Sequence, residues 1–172
     1  AEDKNFYSHK GVELKGVLNG FLRFIEKGVV IGGSTLTQQV VKNVILSSDI
    51  SLERKIKEMM IASRVEKSYS KDEILEVYLN LINLGRNSWG LQKATENYFG
   101  DKYVSDLGLK EAVFFAGITH GPNLYEPDLY MTRIQKRVPY VLKEMRENGY
   151  ITKEQEESVD PTTLKFTPRK VV

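Results

Sequence analysis

Apolar residues along this chain recur every three to four positions rather than every second one, the spacing of helices that bury one face. In residues 12–27 the pattern is overfull: Val12, Leu14, Val17, Leu18, Phe21, Leu22, Phe24 and Ile25 exceed one narrow stripe, which predicts that part of this surface stays exposed. Val29-Val30-Ile31-Gly32-Gly33 then breaks the periodicity, the paired glycines permitting a tight or mobile connection. Helical spacing resumes at Ser34 or Thr35, where Thr35 and Gln38 stand at capping-box separation, and predicts a helix to about Leu46. A second helix is expected from after Ser51 to about Lys67, with Leu52, Ile56, Met59, Met60 and Val65 inward. Ser70 and Glu73 form another capping box, opening a strongly apolar helix through Ile74, Leu75, Val77, Tyr78 and Leu79.

Beyond it, Gly85 to Gly90 reads as a loop, and a short helix from about Leu91 to Phe99 should stop at Gly100. Leu109 to Ile118 is again helical, with small Ala112, Ala116 and Gly117 allowing close packing. Gly121-Pro122 and Pro127 mark a rigid loop, and residues 129–147 a long helix strained or kinked at Pro139. That helix should end at Asn148-Gly149, after which Thr152 and Gln155 cap a final short one. From Pro161 the chain reads as extended, an exit linker over 161–172 or a strand without its partner. No strand-rich region emerges, so the fold class is mainly α.

Composition changes this picture little. The chain is 41% hydrophobic and 28% charged, a globular balance, and its 172 residues suit one domain with a single substantial core. A net charge of +2, with cations spread among nearly as many acids, gives no ground for a nucleic-acid partner. The absence of cysteine excludes a disulfide framework and a thiolate metal site. No apolar stretch reaches the ~18 residues of a membrane span, and no signal peptide is visible. The abrupt charged start Ala1-Glu2-Asp3-Lys4 suggests a piece excised from a longer protein.

Three constellations carry candidate chemistry. Glu2, Asp3, Phe6, His9 and Gly11 place two acids, an aromatic and a histidine at short spacing. This suits an acid/base centre, since apolar or anionic surroundings turn a carboxylate into a useful base; an exposed acidic helix cap is the plain alternative. In Gly32-Gly33-Ser34-Thr35-Leu36-Thr37-Gln38-Gln39-Val40-Val41-Lys42-Asn43, helical spacing sets Thr35, Gln38 and Lys42 on one face. Glycines feeding a helix start, then hydroxyls and a lysine, suit an oxyanion such as phosphate. The Walker spacing is absent, and a capped amphipathic helix with a polar outer face is equally compatible. In the third, Arg54, Lys55 and Glu58 meet on one helical surface. That is either a solvated charged face or an active-site carboxylate among cations that hold a diphosphate. His120 reads as a loop residue, Trp89 is expected to pack, and the two histidines lack metal-motif spacing.

Taken together and in this order, these blocks resemble the peptidoglycan glycosyltransferases, the domain of class A penicillin-binding proteins and of monofunctional cell-wall polymerases (glycosyltransferase family 51). The matching stretches are E-D-K-N-F-Y-S-H-K-G at 2–11, G-G-S-T-L-T-Q-Q-V-V-K-N at 32–43, R-K-I-K-E at 54–58 and K-D-E-I-L-E-V-Y-L-N at 71–80, followed by Ala112 through Gly117 to Pro122, Tyr125 and Pro127. The resemblance covers essentially the whole chain. It implies a lysozyme-like helical fold, a large lobe with a smaller membrane-facing jaw, and places the mobile jaw at 12–33, where exposed Phe21, Leu22, Phe24 and Ile25 would meet the bilayer.

The activity it implies is polymerisation of lipid II, with the growing lipid-linked glycan as donor and a fresh lipid II as acceptor. By analogy Glu2 is the general base, and Glu58, the second essential acid, orients the cations or the donor. Lys42, Arg54 and Lys55 would receive the diphosphate, and Asp3, Phe6, His9, Ser34, Thr35, Gln38 and Gln39 shape the site. Many relatives carry arginine where this chain has Ile50, so Arg54, Lys55 and Lys57 suffice here or diphosphate affinity is weaker. No cofactor is obligatory; Mg²⁺ or another divalent cation held by Asp3 or Glu58 remains open. The same resemblance implies a place on the outer face of the bacterial cytoplasmic membrane, anchored by a segment outside this sequence. It also suggests a transpeptidase domain in the same polypeptide and moenomycin-type inhibitors as ligands. A lysozyme-like glycan-cleaving enzyme is the nearest alternative, although it has no need of a diphosphate site.

Overall fold

The computed structural model describes residues 2–13, 16–17, 33–45 and 51–169. Most of the expected jaw at 12–33, the residues beyond Ile45 where the first helix was expected to finish, and Ile50 lie outside the described residues. The secondary structure is helical, and among the described residues the only β-type pairing is a single antiparallel bridge, Asn83 with Trp89. The fold class is mainly α, as the periodicity predicts. The chain divides into two compact units, residues 2–81 and residues 82–172.

In the first unit, helix α1 (Leu36–Val44) begins where its sequence supplies both halves of a capping box. The Thr35 hydroxyl accepts the Gln38 N–H at 3.2 Å, and the Gln38 side-chain oxygen accepts the Thr35 N–H at 3.0 Å. Two donors that a helix start leaves without intrahelical partners are thereby satisfied. Helix α2 (Leu52–Ser68) is capped by Ser51, whose hydroxyl accepts the Arg54 N–H at 3.1 Å. Helix α3 (Lys71–Leu81) opens on the Ser70–Glu73 box and buries Ile74 and Tyr78. Helix α1 packs against both α2 and α3.

Helix α2 is oriented opposite to expectation. Leu52, Ile56 and Met60 are exposed, Met59 and Val65 are half-buried, and the fully buried residues are Glu58 and Ala62. The inward face thus centres on a carboxylate and a small alanine rather than on the large apolar residues. A helix spends buried surface this way only where its charges are paired, because a lone buried carboxylate is costly.

The second unit is built round an aromatic cluster. Helix α4 (Leu91–Phe99), ended by Gly100 at φ +76°, contributes Tyr98 and Phe99; helix α5 (Leu109–Ile118) contributes Phe114 and Phe115. The Phe166 ring lies 4.8 Å from Phe114 and stacks on Phe99 at 5.4 Å. Residues 161–169 therefore lie against this core: Leu164 is buried and the Thr167 N–H donates to the Tyr98 carbonyl at 2.8 Å. Gly117 admits helix α6 (Pro127–Glu147) closely, since a Cβ there would lie 3.2 Å from Arg137 Cγ, whereas Ala112 is exposed.

Helix α6 starts two residues before the expected position, with Pro127 in its first turn, where proline loses no hydrogen bond. Its break falls at Tyr130 (φ −133°, ψ 36°) and not at Pro139. Pro139 is exposed, so water can take the carbonyl its ring leaves free. Helix α7 (Lys153–Glu157) has the expected Thr152–Gln155 box. In the 83–89 loop, Arg86 holds a left-handed backbone (φ +48°) and a buried guanidinium. It donates to Glu126 at 2.7 Å and to the carbonyls of Asn97 and Thr167 at 3.0 and 2.6 Å. Trp89, expected to pack, is 62% exposed because its backbone bridge to Asn83 fixes the loop while the indole points outward.

Candidate active site

The predicted chemistry gathers within residues 2–81. The segment from Glu2 to Gly11 is laid onto the start of α1 by side-chain bonds. Asp3 Oδ2 accepts the Leu36 N–H at 3.0 Å and the His9 Nε2–H at 2.8 Å, and its side chain is only 2% exposed. The Gly11 N–H donates to His9 Nδ1 at 3.1 Å, so Nδ1 is an acceptor and the ring proton sits on Nε2. The Thr35 hydroxyl donates to the Gly11 carbonyl at 2.7 Å. Gly11 has φ +87°, and a Cβ there would sit 2.7 Å from the Ala62 carbonyl oxygen, so glycine is what lets the segment lie against α2.

Glu2 stands half-buried at the head of this segment. Its negative charge acts on Tyr78: burial first, and the Glu2 carboxylate second, push the Tyr78 hydroxyl well above the ordinary tyrosine range. That hydroxyl is buried and has no hydrogen-bond partner among the described residues.

The cationic group also meets the α1 start. Lys55 Nζ donates to Ser34 Oγ at 2.8 Å and pairs closely with Glu58 Oε1. Arg54 Nη1 is 3.4 Å from Glu58 Oε2. Glu58 is 1% exposed, and one carboxylate against two cations leaves a surplus positive charge. Arg54 Nε is buried without a hydrogen-bond partner among the described residues. Ser34 and Leu36 are two residues apart, at most about 7 Å along the chain. One turn of backbone therefore carries both the Asp3–His9 group and the Lys55–Glu58 group.

The other predicted site residues sort by burial. Phe6 is buried beneath Lys71, whose ammonium lies 4.6 Å from the ring centroid. Thr35 and Gln38 are buried and spend their polar groups on the cap and on Gly11. Gln39 is half-buried, and Lys42 lies in the exposed last turn of α1. Sequence reasoning did not single out Glu66, Lys71, Thr37 and Tyr78. Glu66 accepts from Lys71 at 2.6 Å and from the Thr37 hydroxyl, and Lys71 Nζ is 3.4 Å from His9 Nδ1. The available signal was Lys71 and Tyr78 standing seven apart, two turns on one face of α3. Among the described residues no three or more acids or histidines gather as a metal site, and no helix is long and apolar enough to cross a membrane.

One helix start thus joins a buried acid–histidine pair to a carboxylate held by two cations. The family model described as Transglycosylase matches residues 1–146, and the chain belongs to that family. It is 42% identical over 158 residues to penicillin-binding protein 1A of Rickettsia prowazekii (strain Madrid E), covering 90% of this chain and 20% of that protein. It is also 42% identical over 167 residues to penicillin-binding protein 1A of Aquifex aeolicus (strain VF5), covering 95% and 23%. A crystal structure of penicillin-binding protein 1A from Haemophilus influenzae is similar over 72% of this chain and 15% of that one, with 29% identity and a TM-score of 0.48. The chain thus spans about a fifth of the length of the curated relatives it matches.

Proposed function

We propose that this domain polymerises lipid II into β-1,4-linked glycan by inverting transfer, with Glu2 as base and the Arg54–Lys55–Glu58 group receiving the departing lipid diphosphate. Glu2 takes the proton of the acceptor's sugar 4-hydroxyl as that oxygen bonds to the donor's anomeric carbon. The bond from that carbon to the diphosphate oxygen breaks, and the lipid diphosphate leaves with the electron pair. Such a step needs a base on one face and cations where negative charge develops on the other.

The observation that carries this reading is the surplus cation at buried Glu58, with an unspent Arg54 N–H, one backbone turn from Asp3. A glycan-cleaving enzyme of similar fold has no use for that surplus. Family membership supports the membrane surface as the working place, on its outer side. The relatives' names and greater length support a transpeptidase domain in the same polypeptide. Moenomycin-type inhibitors, if they compete for the same cations, will be displaced by added lipid diphosphate.

Incubation with lipid II in detergent tests the reading. Polymer should form, and Glu2→Gln should abolish it while leaving the fold intact. Shortening of preformed glycan without polymer would instead establish the cleaving enzyme. Polymerisation at wild-type rate by Glu2→Gln would remove the base assignment and leave the family in place.

A further inference from the structure

Lys71 and Glu66 have no part in the step just described, yet between them they contact Phe6, His9 and Thr37 around its reacting end. The Glu66 carboxylate is 6% exposed and holds both the Lys71 ammonium, at 2.6 Å, and the Thr37 hydroxyl of α1. Lys71 in turn reaches two residues of the Glu2–Gly11 segment: its Nζ is 3.4 Å from His9 Nδ1 and 4.6 Å from the Phe6 ring centroid. A pair serving stability alone would need only each other. This one joins the end of α2, the start of α3, the first turn of α1 and the N-terminal segment.

The histidine is where this becomes chemistry. A neutral imidazole carries its proton on one nitrogen, and the neighbours decide which. The Gly11 N–H points at Nδ1 and the Lys71 ammonium, 3.4 Å away, can only donate to that same lone pair, while Glu66 Oε1, 3.8 Å from the atom, is engaged by Lys71 and the Thr37 hydroxyl. The proton is thereby confined to Nε2, where it donates to Asp3 Oδ2, the same oxygen that accepts the Leu36 N–H. With the other tautomer, Nε2 would present a lone pair to a carboxylate and Asp3 would lose one of its two anchors. Glu2 is bonded directly to Asp3 in sequence, so any drift of Asp3 is a drift of Glu2.

We propose that Lys71, held by Glu66, is a positioning residue for the transfer reaction: it fixes His9 in the Nε2–H tautomer that anchors Asp3 and so aims Glu2 at the acceptor hydroxyl. This rests on the assignment of Glu2 as base. In this assignment the effect of Lys71 runs through His9 and the backbone. Misplacing a base by about 1 Å costs on the order of 100-fold in rate without weakening binding of remote substrate groups. Truncating Lys71 should therefore lower kcat and spare KM.

The test compares Lys71→Met, which keeps the stem over Phe6, with Lys71→Arg, which keeps the charge. Lys71→Met should lower kcat for lipid II polymerisation about 10- to 100-fold, with KM within about two-fold, and Lys71→Arg should recover most of the loss. Glu66→Gln, which retains volume, should reproduce the kcat loss if Lys71→Met alone fails to fold. Nitrogen-15 NMR of the His9 ring supplies a readout independent of turnover: the Nε2–H tautomer in the parent, and a mixture in Lys71→Met. An Nδ1–H parent tautomer would overturn the proposal, as would a Lys71→Met enzyme with unchanged kcat. Full activity in Glu2→Gln points elsewhere, to the base assignment, and is separable because the tautomer measurement stands without it.

Discussion

Arg54 and Glu58 stand four residues apart on one turn of helix, yet removing them should have opposite consequences. Glu58 is 1% exposed and lies between two cations, so Glu58→Ala leaves positive charge buried without its counter-ion, at about 3–5 kcal/mol of stability. Arg54→Ala leaves Glu58 still paired with Lys55, the closer partner, and should barely move the thermal midpoint. It should instead lower kcat/KM for lipid II about 10²- to 10³-fold, the cost of deleting one donor at a developing charge. Thermal melts beside initial rates separate the two, and a normal rate in Arg54→Ala would show that the guanidinium does not meet the leaving group. The sequence made this group legible because Arg54, Lys55 and Glu58 share one helical surface at fixed spacing. The Glu66–Lys71 pair was not singled out: the two residues stand five apart across a helix boundary, outside the i, i+3 and i, i+4 spacing that marks helical pairs. Only tertiary packing, of α1 for Thr37 and of the Glu2–Gly11 segment for His9, brings these partners to them.

At the scale of the element, periodicity says which residues share a face but not which face turns inward. The expectation for α2 took its apolar stripe as the buried one, and the helix instead buries Glu58 and Ala62 while Leu52, Ile56 and Met60 stay exposed. Helix starts were read more securely, since the boxes at Thr35, Ser70 and Thr152 are local and depend on no tertiary partner. The Glu2–Gly11 segment has no such local code; its path depends on the close approach of Gly11 to α2. Gly11→Ala would combine a left-handed backbone at φ +87° with a Cβ 2.7 Å from the Ala62 carbonyl oxygen. The expected destabilisation is about 1–3 kcal/mol. Because relief requires the segment to lift from α2, activity should fall further than that loss of folded protein accounts for. Rates measured well below the melting transition check this, and a rate reduced only in proportion to folded fraction would refute it.

At the scale of the whole chain, each compact unit holds a tyrosine that burial keeps protonated, Tyr78 in one and Tyr98 in the other. Tyr78 in residues 2–81 is pushed up by burial and then by the Glu2 charge. Tyr98 in residues 82–172 is pushed up by burial and then by Glu126, against the lowering pull of Arg86 and Arg169. In the unfolded chain both titrate near the ordinary tyrosine value of about 10. Above that pH the unfolded state releases protons that the folded state retains, so stability is complete below about pH 10 and declines as pH rises further. The slope approaches about 1.4 kcal/mol per pH unit for each such tyrosine. Tyr98→Phe removes one of the two groups along with the hydrogen bond to the Leu84 carbonyl at 2.8 Å. It should thus be less stable than the parent by about 1 kcal/mol at neutral pH, yet lose less stability than the parent on going to alkali. Urea unfolding at neutral pH and at two values above the tyrosine range, for parent and variant, measures both effects. Parallel declines would mean that the Tyr98 hydroxyl ionises in the folded protein as readily as in the unfolded chain. The aromatic cluster and the Arg86 guanidinium, 4.5 Å from the Tyr98 ring centroid, would then not exclude water from it.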